Sequence, residues 1–144
     1  NNSEVYQVEE NINFKIMMVA NSLREVPIEF SYWPNDIEIE NTKVMSDDGY
    51  GIIECSYKNS KIYLECYRNI FEPSRIISGE IREIKEIKNA DFMGSIKLYE
   101  NSNYNGEKTY MGIIILENGY YSIGKFEDRE LLEKILEGVK SKKN

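Results

Sequence analysis

The chain has 144 residues, a formal net charge of −7 and no histidine; 41% of its residues are hydrophobic, 30% charged and 12% aromatic. That profile fits one globular domain over 1–144, long enough to bury its own core, and excludes disordered and collagen-like chains. Without histidine, Ser-His-Asp and Cys-His catalysis are impossible within the chain, and the commonest metal ligand at neutral pH is missing.

Residues 4–11 predict one or two helical turns, and Phe14-Lys-Ile-Met-Met-Val19 then reads as a buried strand. Leu23 to Pro27 is a connection, because Pro27 lacks the donor that a central strand needs. Ile28 to Trp33 alternates loosely and Pro34-Asn35-Asp36 turns the chain, which leaves Trp33 either as a plug at the edge of the core, the favoured reading, or as an exposed adhesive ring. Ile37-Glu-Ile-Glu40 alternates apolar in and acid out, so Glu38 and Glu40 read as solvated surface rather than as a catalytic acid pair.

After the turn Asp47-Asp48-Gly49, Tyr50 to Tyr57 and Ile62 to Tyr67 form a hairpin. A turn at Asn59-Ser60 pairs Tyr57 with Ile62, Cys55 with Leu64 and Ile53 with Cys66, putting six apolar side chains on one face. The two cysteines are then diagonal neighbours about 7–8 Å apart, too far for a bridge, and are expected to be free, buried thiols. The opposite face opposes Glu54 to Glu65, like charges that destabilise each other, and gathers Tyr50, Ile52, Tyr63 and Tyr67. Tyrosines give large contact area at low entropic cost, so these four residues are the candidate binding face for a protein, a peptide or an envelope polymer; the alternative is that tyrosine simply favours strands and another element covers this face.

Over 70–93 the pattern is mixed and predicts a loop with a short strand near 84–88. Asn105-Gly106 and Asn118-Gly119 predict two type I′ hairpin turns. Those turns pair Ile96 with Ile115, Leu98 with Ile113, Tyr99 with Gly112, Met111 with Phe126, Ile114 with Ile123 and Leu116 with Tyr121. One face then holds Ile96, Leu98, Met111, Ile113, Ile115 and Phe126, and both faces are expected to be covered. Asp128 is placed to cap a final helix whose stripe is Leu131, Leu132, Ile135, Leu136 and Val139.

Strands in tight antiparallel succession followed by one helix indicate an α+β fold. The expected architecture is a curved, mainly antiparallel sheet of about six to seven strands, with the C-terminal helix packed on it and a short N-terminal helical segment. The one basic cluster, Lys140, Lys142 and Lys143, falls at the end of the predicted helix, where cations complement the helix dipole, so no nucleic-acid partner is expected. No P-loop, GxGxxG, CxxC or HExxH pattern occurs, and no calcium-ligand loop is visible. The sequence therefore predicts a non-enzymatic protein with no catalytic residues, no cofactor and no metal site.

No wholly apolar run approaches the roughly 20 residues that span a bilayer. The chain opens Asn-Asn-Ser without methionine, which leaves room for a signal peptide or membrane anchor upstream. Its abundant isoleucine and asparagine with little alanine suggest an AT-rich bacterial coding sequence.

Three stretches together resemble a domain of unknown function found in Gram-positive bacteria. They are the opening Phe14-Lys-Ile-Met-Met-Val19 with Leu23 and Pro27, the central Ile53–Tyr57 and Ile62–Cys66 hairpin, and the closing Gly119-Tyr-Tyr-Ser-Ile-Gly124 followed by Glu130–Leu136. The chain departs from that pattern in lacking a tryptophan within Gly112–Leu116 and the first proline of the opening loop. Such domains commonly lie outside the cytoplasmic membrane behind a transmembrane helix or a lipoprotein anchor. The resemblance thus implies an extracytoplasmic sensor or binding module that meets the membrane only through an upstream anchor. Two alternatives stand beside it. One is a cytoplasmic acidic immunity protein that neutralises a basic toxin. The other is a lipid or lipoprotein carrier-like domain enclosing an apolar cavity.

Overall fold

The computed structural model describes residues 11–76 and 80–142. In chain order these form α1 (Ile12–Leu23), β1 (Ile28–Phe30), β2 (Glu38–Met45), β3 (Tyr50–Tyr57), β4 (Ser60–Tyr67) and β5 (Ile81–Ile87). There follow β6 (Ser95–Ser102), β7 (Lys108–Ile115), β8 (Tyr120–Phe126), α2 (Arg129–Glu137) and β9 (Val139–Ser141). Seven strands make one antiparallel sheet in the order β2-β3-β4-β8-β7-β6-β5, while β1 and β9 pair as a separate antiparallel ribbon. The fold is α+β, with both helices on one face of the large sheet.

The first segment is the main correction to the sequence reading. Phe14–Val19 is not a strand but the middle of α1. Ile12, Ile16, Val19, Ala20 and Leu23 are its buried residues, a 3.6-residue period across twelve positions that outweighs the short apolar run. Asn11 caps the helix, its side chain accepting from the Asn13 N–H at 2.8 Å, and Arg24 ends it in the left-handed region at φ 60°. The helical turns predicted over 4–11 lie, apart from Asn11, outside the described residues.

Asn13 also ties α1 to β1. Its amide N–H donates to the Phe30 carbonyl at 3.0 Å and its amide oxygen accepts the Phe30 N–H at 2.8 Å, so a side chain takes the place of a neighbouring strand. Trp33 is half-buried and packs its ring on Phe30 at 5.2 Å.

Each hairpin register differs from its prediction, for a reason located in its turn. At the β3–β4 turn Lys58 and Asn59 carry the positive φ angles (48° and 65°), so Cys55 pairs with Ile62, Ile53 with Leu64 and Gly51 with Cys66. That is a shift of two residues, so the inward face survives while the individual partners change. The β6–β7 loop has three residues, Tyr104-Asn105-Gly106, closed by Asn103 and Glu107, and only Gly106 has positive φ (80°). The register therefore slips by one residue and turns β6 over relative to β7. Ile96 and Leu98 share the helix side with Ile114, Tyr121 and Ile123, whereas Tyr99, Ile113 and Tyr120 form a second cluster on the outer side. Gly112 accordingly faces Leu98 rather than Tyr99. At the β7–β8 turn Glu117 and Asn118 occupy the centre with negative φ, which moves Tyr121 opposite Ile114 and Ile123 opposite Gly112.

Residues 81–87 form a full edge strand, longer than the short strand predicted near 84–88. Asp128 caps α2, its carboxylate accepting the Leu131 N–H at 3.1 Å, and Leu132, Ile135 and Leu136 are buried as predicted. The helix stops at Glu137, however, and Val139 enters β9 opposite Phe30. Lys140 therefore sits on a strand, and the helix-dipole account of the basic cluster does not hold for it.

Both helices press closely on the sheet. A Cβ at Gly51 would meet the Val19 Cγ1 at 2.5 Å, and one at Gly112 would meet the Leu136 Cδ2 at 2.6 Å. Bare glycine backbone is what lets each helix settle there, burying side chains worth about 1.5–3 kcal/mol apiece.

Candidate functional site

The outer face of the sheet, away from the helices, carries the predicted residues. Register pairs line them up across four strands. One row runs Met45, Tyr50, Tyr67, Tyr120; the next runs Lys43, Ile52, Glu65, Ser122; a third runs Asn41, Glu54, Tyr63, Gly124. Tyr50, Ile52, Tyr63 and Tyr67 thus share one face, as period-two alternation requires.

The two-residue register shift removes the expected Glu54–Glu65 opposition. Glu54 faces Tyr63 and is approached by Lys43 at 3.8 Å, while Glu65 faces Ile52. Glu65 is instead the hub of a hydroxyl cluster. Its Oε2 accepts from the Tyr50 hydroxyl at 2.5 Å and from the Tyr67 hydroxyl at 2.8 Å, and its Oε1 lies 3.5 Å from the Ser122 hydroxyl. Burial, reinforced by the Glu65 carboxylate, holds both phenols above their ordinary range, so they remain neutral donors.

The rings continue the cluster. Tyr50 and Tyr67 are tilted at 5.0 Å, Tyr67 and Tyr120 stack at 4.6 Å, and Phe71 meets Tyr120 edge-on at 5.2 Å. Phe71 belongs to the connection from β4 to β5, which must pass β8, β7 and β6 to reach the far edge of the sheet. Phe71 and Ile76 of that connection pack on the second cluster of Tyr99, Ile113 and Tyr120. The outer face is therefore divided: the β8–β6 half is covered, and the β2–β4 half is not covered by this connection. On the latter, Tyr63 is 37% exposed and Met45 45%, while Tyr50, Ile52 and Tyr67 are half-buried.

Met45 belongs to this surface, and Tyr120 and Ser122, both buried, extend its rows beneath it; sequence reasoning singles out none of the three. Their membership depends on β8 lying beside β4 and β2 beside β3, and the first of these joins distant stretches of chain. The one local signal is the same alternation that places Tyr50 and Tyr67.

Elsewhere, Cys55 and Cys66 are free and buried, and burial pushes each thiol up to about 12. Cys55 and the partner of Cys66 are four residues apart along β3, roughly 13 Å, which separates the thiols further than predicted. A polar cleft of about 1270 Å³ lies beside β2, bordered by Asn11, Trp33, Asn35, Asn41 and Thr42. Among the described residues no three potential ligands are grouped to hold a metal ion, and no helix is long and apolar enough to cross a membrane.

The fold and this surface define an α+β protein with a seven-stranded antiparallel sheet and a half-open tyrosine face. No protein-family model matches the chain, and neither a curated protein nor a solved structure matches it.

Proposed function

We propose that the chain is a non-enzymatic binding or sensor module of the bacterial cell envelope, with the open half of the outer sheet face as its contact surface. The observation that carries this reading is the tyrosine–glutamate cluster itself. Tyr50 and Tyr67 are locked by a shared carboxylate beside Ile52, Tyr63 and Met45, giving rigid, amphipathic area that loses little freedom on contact. The phenols are held neutral and Glu65 is engaged by hydroxyl donors, an arrangement suited to contact rather than to proton transfer. The envelope placement, behind an upstream anchor, comes from the resemblance in sequence.

The test is an amide and methyl NMR titration of the protein with soluble peptidoglycan fragments, with teichoic acid and with peptides from envelope proteins. Shifts confined to Tyr50, Ile52, Tyr63, Tyr67 and their strand neighbours support the reading. Shifts centred elsewhere overturn the choice of face, and no response to any of the three overturns the envelope partner.

A second reading, an acidic inhibitor of a basic protein, draws on the net charge of −7 and on Asp47 and Asp48 beside Tyr50. It requires association that slows steeply as salt rises, whereas an aromatic contact is nearly indifferent to salt. The carrier alternative needs space between helices and sheet, and the close approach of Val19 to Gly51 and Leu136 to Gly112 leaves none at those points.

A further inference from the structure

Both edges of the large sheet carry charged side chains around a bulge, and they differ in the apolar end of β2. The β5 edge carries Arg82, Glu83, Lys85 and Glu86 around a bulge, the usual protection of an exposed strand. The β2 edge also has a bulge, at Glu40, but its second half ends in Val44 (37% exposed) and Met45 (45% exposed). As the terminal strand, β2 has no further strand beside its outer row of backbone N–H and C=O groups among the described residues.

The bulge sets which side chains share a face. The register passes from Ile39 opposite Cys55 to Asn41 opposite Glu54, so Glu40 is the extra residue. Its carboxylate reaches Lys61 on the outer face at 2.8 Å, so Glu40 and Asn41 both lie on that side with Lys43 and Met45. Ile39, Thr42 and Val44 lie on the helix side.

The geometry points to β2 pairing antiparallel with β2 of a second copy about a two-fold axis through Thr42. In that register Lys43 meets the bulge pair Glu40 and Asn41 of the second copy, Val44 meets Ile39, and Met45 meets Glu38. Every pair matches in face, and two opposite-charge contacts form, one on each side of the axis. Moving the axis by one residue to Lys43 would set Lys43 against Lys43, which disfavours that register. The polar cleft bordering Glu38–Thr42, lined on its other side by α1, lies on the helix side of β2, where Val44 of the second copy would meet Ile39. This contact uses the sheet edge and is independent of the tyrosine face.

Sedimentation equilibrium on the intact chain, from micromolar to millimolar concentration, tests it. The wild type should dimerise reversibly. Lys43→Glu and Glu40→Lys should each weaken self-association about tenfold, because each replaces two attractive contacts by two repulsive ones. An equimolar mixture of the two variants should associate as tightly as the wild type, since in the mixed pair every charge at position 43 again faces an opposite charge at position 40. Circular dichroism of each variant controls for folding. A wild type that stays monomeric overturns the proposal, as does a dimer that neither variant weakens or a mixture that does not recover. Hydrogen exchange gives an independent reading: β2 amides must gain protection as the dimer forms, and unchanged β2 protection in a dimer sinks the proposal.

Discussion

Glu65 shows how one side chain organises a surface. Two phenols and a serine hydroxyl converge on its carboxylate, so removing it strands two half-buried donors while leaving the strands in place. Glu65→Leu should lower stability by about 1–2 kcal/mol in urea denaturation. In that background Tyr50→Phe and Tyr67→Phe should cost almost nothing more, because their shared acceptor is already gone. The thiols make a second prediction. Folded Cys55 and Cys66 are pushed up to about 12 by burial, against roughly 8.5 in an unfolded chain. Between those values the native state holds protons that the unfolded state releases, so stability is fully present below about pH 8.5 and falls as pH rises toward 12. Urea midpoints measured from pH 7 to 10 should decline, and the decline should shrink in the Cys55→Ala/Cys66→Ala variant. The raised phenols of Tyr50 and Tyr67 act in the same direction above about pH 10.

At the scale of elements, the helices are set by what the sheet leaves out. Val19 is β-branched and stiff within α1, so a methyl group at Gly51 has little room to push it aside. Gly51→Ala should destabilise by about 1–3 kcal/mol, and Val19→Ala in the same chain should recover part of that loss, as a double-mutant cycle would read. Asn13 holds α1 to β1 through two hydrogen bonds to Phe30, and Asn13→Leu should cost about 1–3 kcal/mol by leaving both backbone groups without that partner. Asp128, by contrast, is readable from the sequence as a helix cap because a cap is a contact over three residues. The period of α1 is hidden in the sequence by the unbroken apolar run Ile16–Ala20, and only the buried set Ile12, Ile16, Val19, Ala20 and Leu23 makes it plain.

At the scale of the molecule, the strand order decides which parts open first. β4, β8 and β7 are interior strands bonded on both sides, whereas β2 and β5 are edges. Hydrogen exchange at low protein concentration should find the slowest amides in β4, β8 and β7 and faster exchange along β2 and β5. The same order explains why the outer face is split in two: a chain leaving β4 for β5 must cross three strands, and it covers what it crosses.

The sequence by itself determined the α+β class, the alternation that puts Tyr50, Ile52, Tyr63 and Tyr67 on one face, the buried free cysteines and the capped final helix. Each of these follows from periodicity or from contacts within a few residues. Only the tertiary structure decided the hairpin registers, because a register depends on the length and backbone conformation of its turn, and a single residue more in the Tyr104–Gly106 loop turns β6 over. It alone set β8 beside β4 and so brought Tyr120 and Ser122 to Tyr67 and Glu65. Those pairings join stretches more than fifty residues apart, held by burial rather than by local propensity, and no local pattern in the chain encodes them.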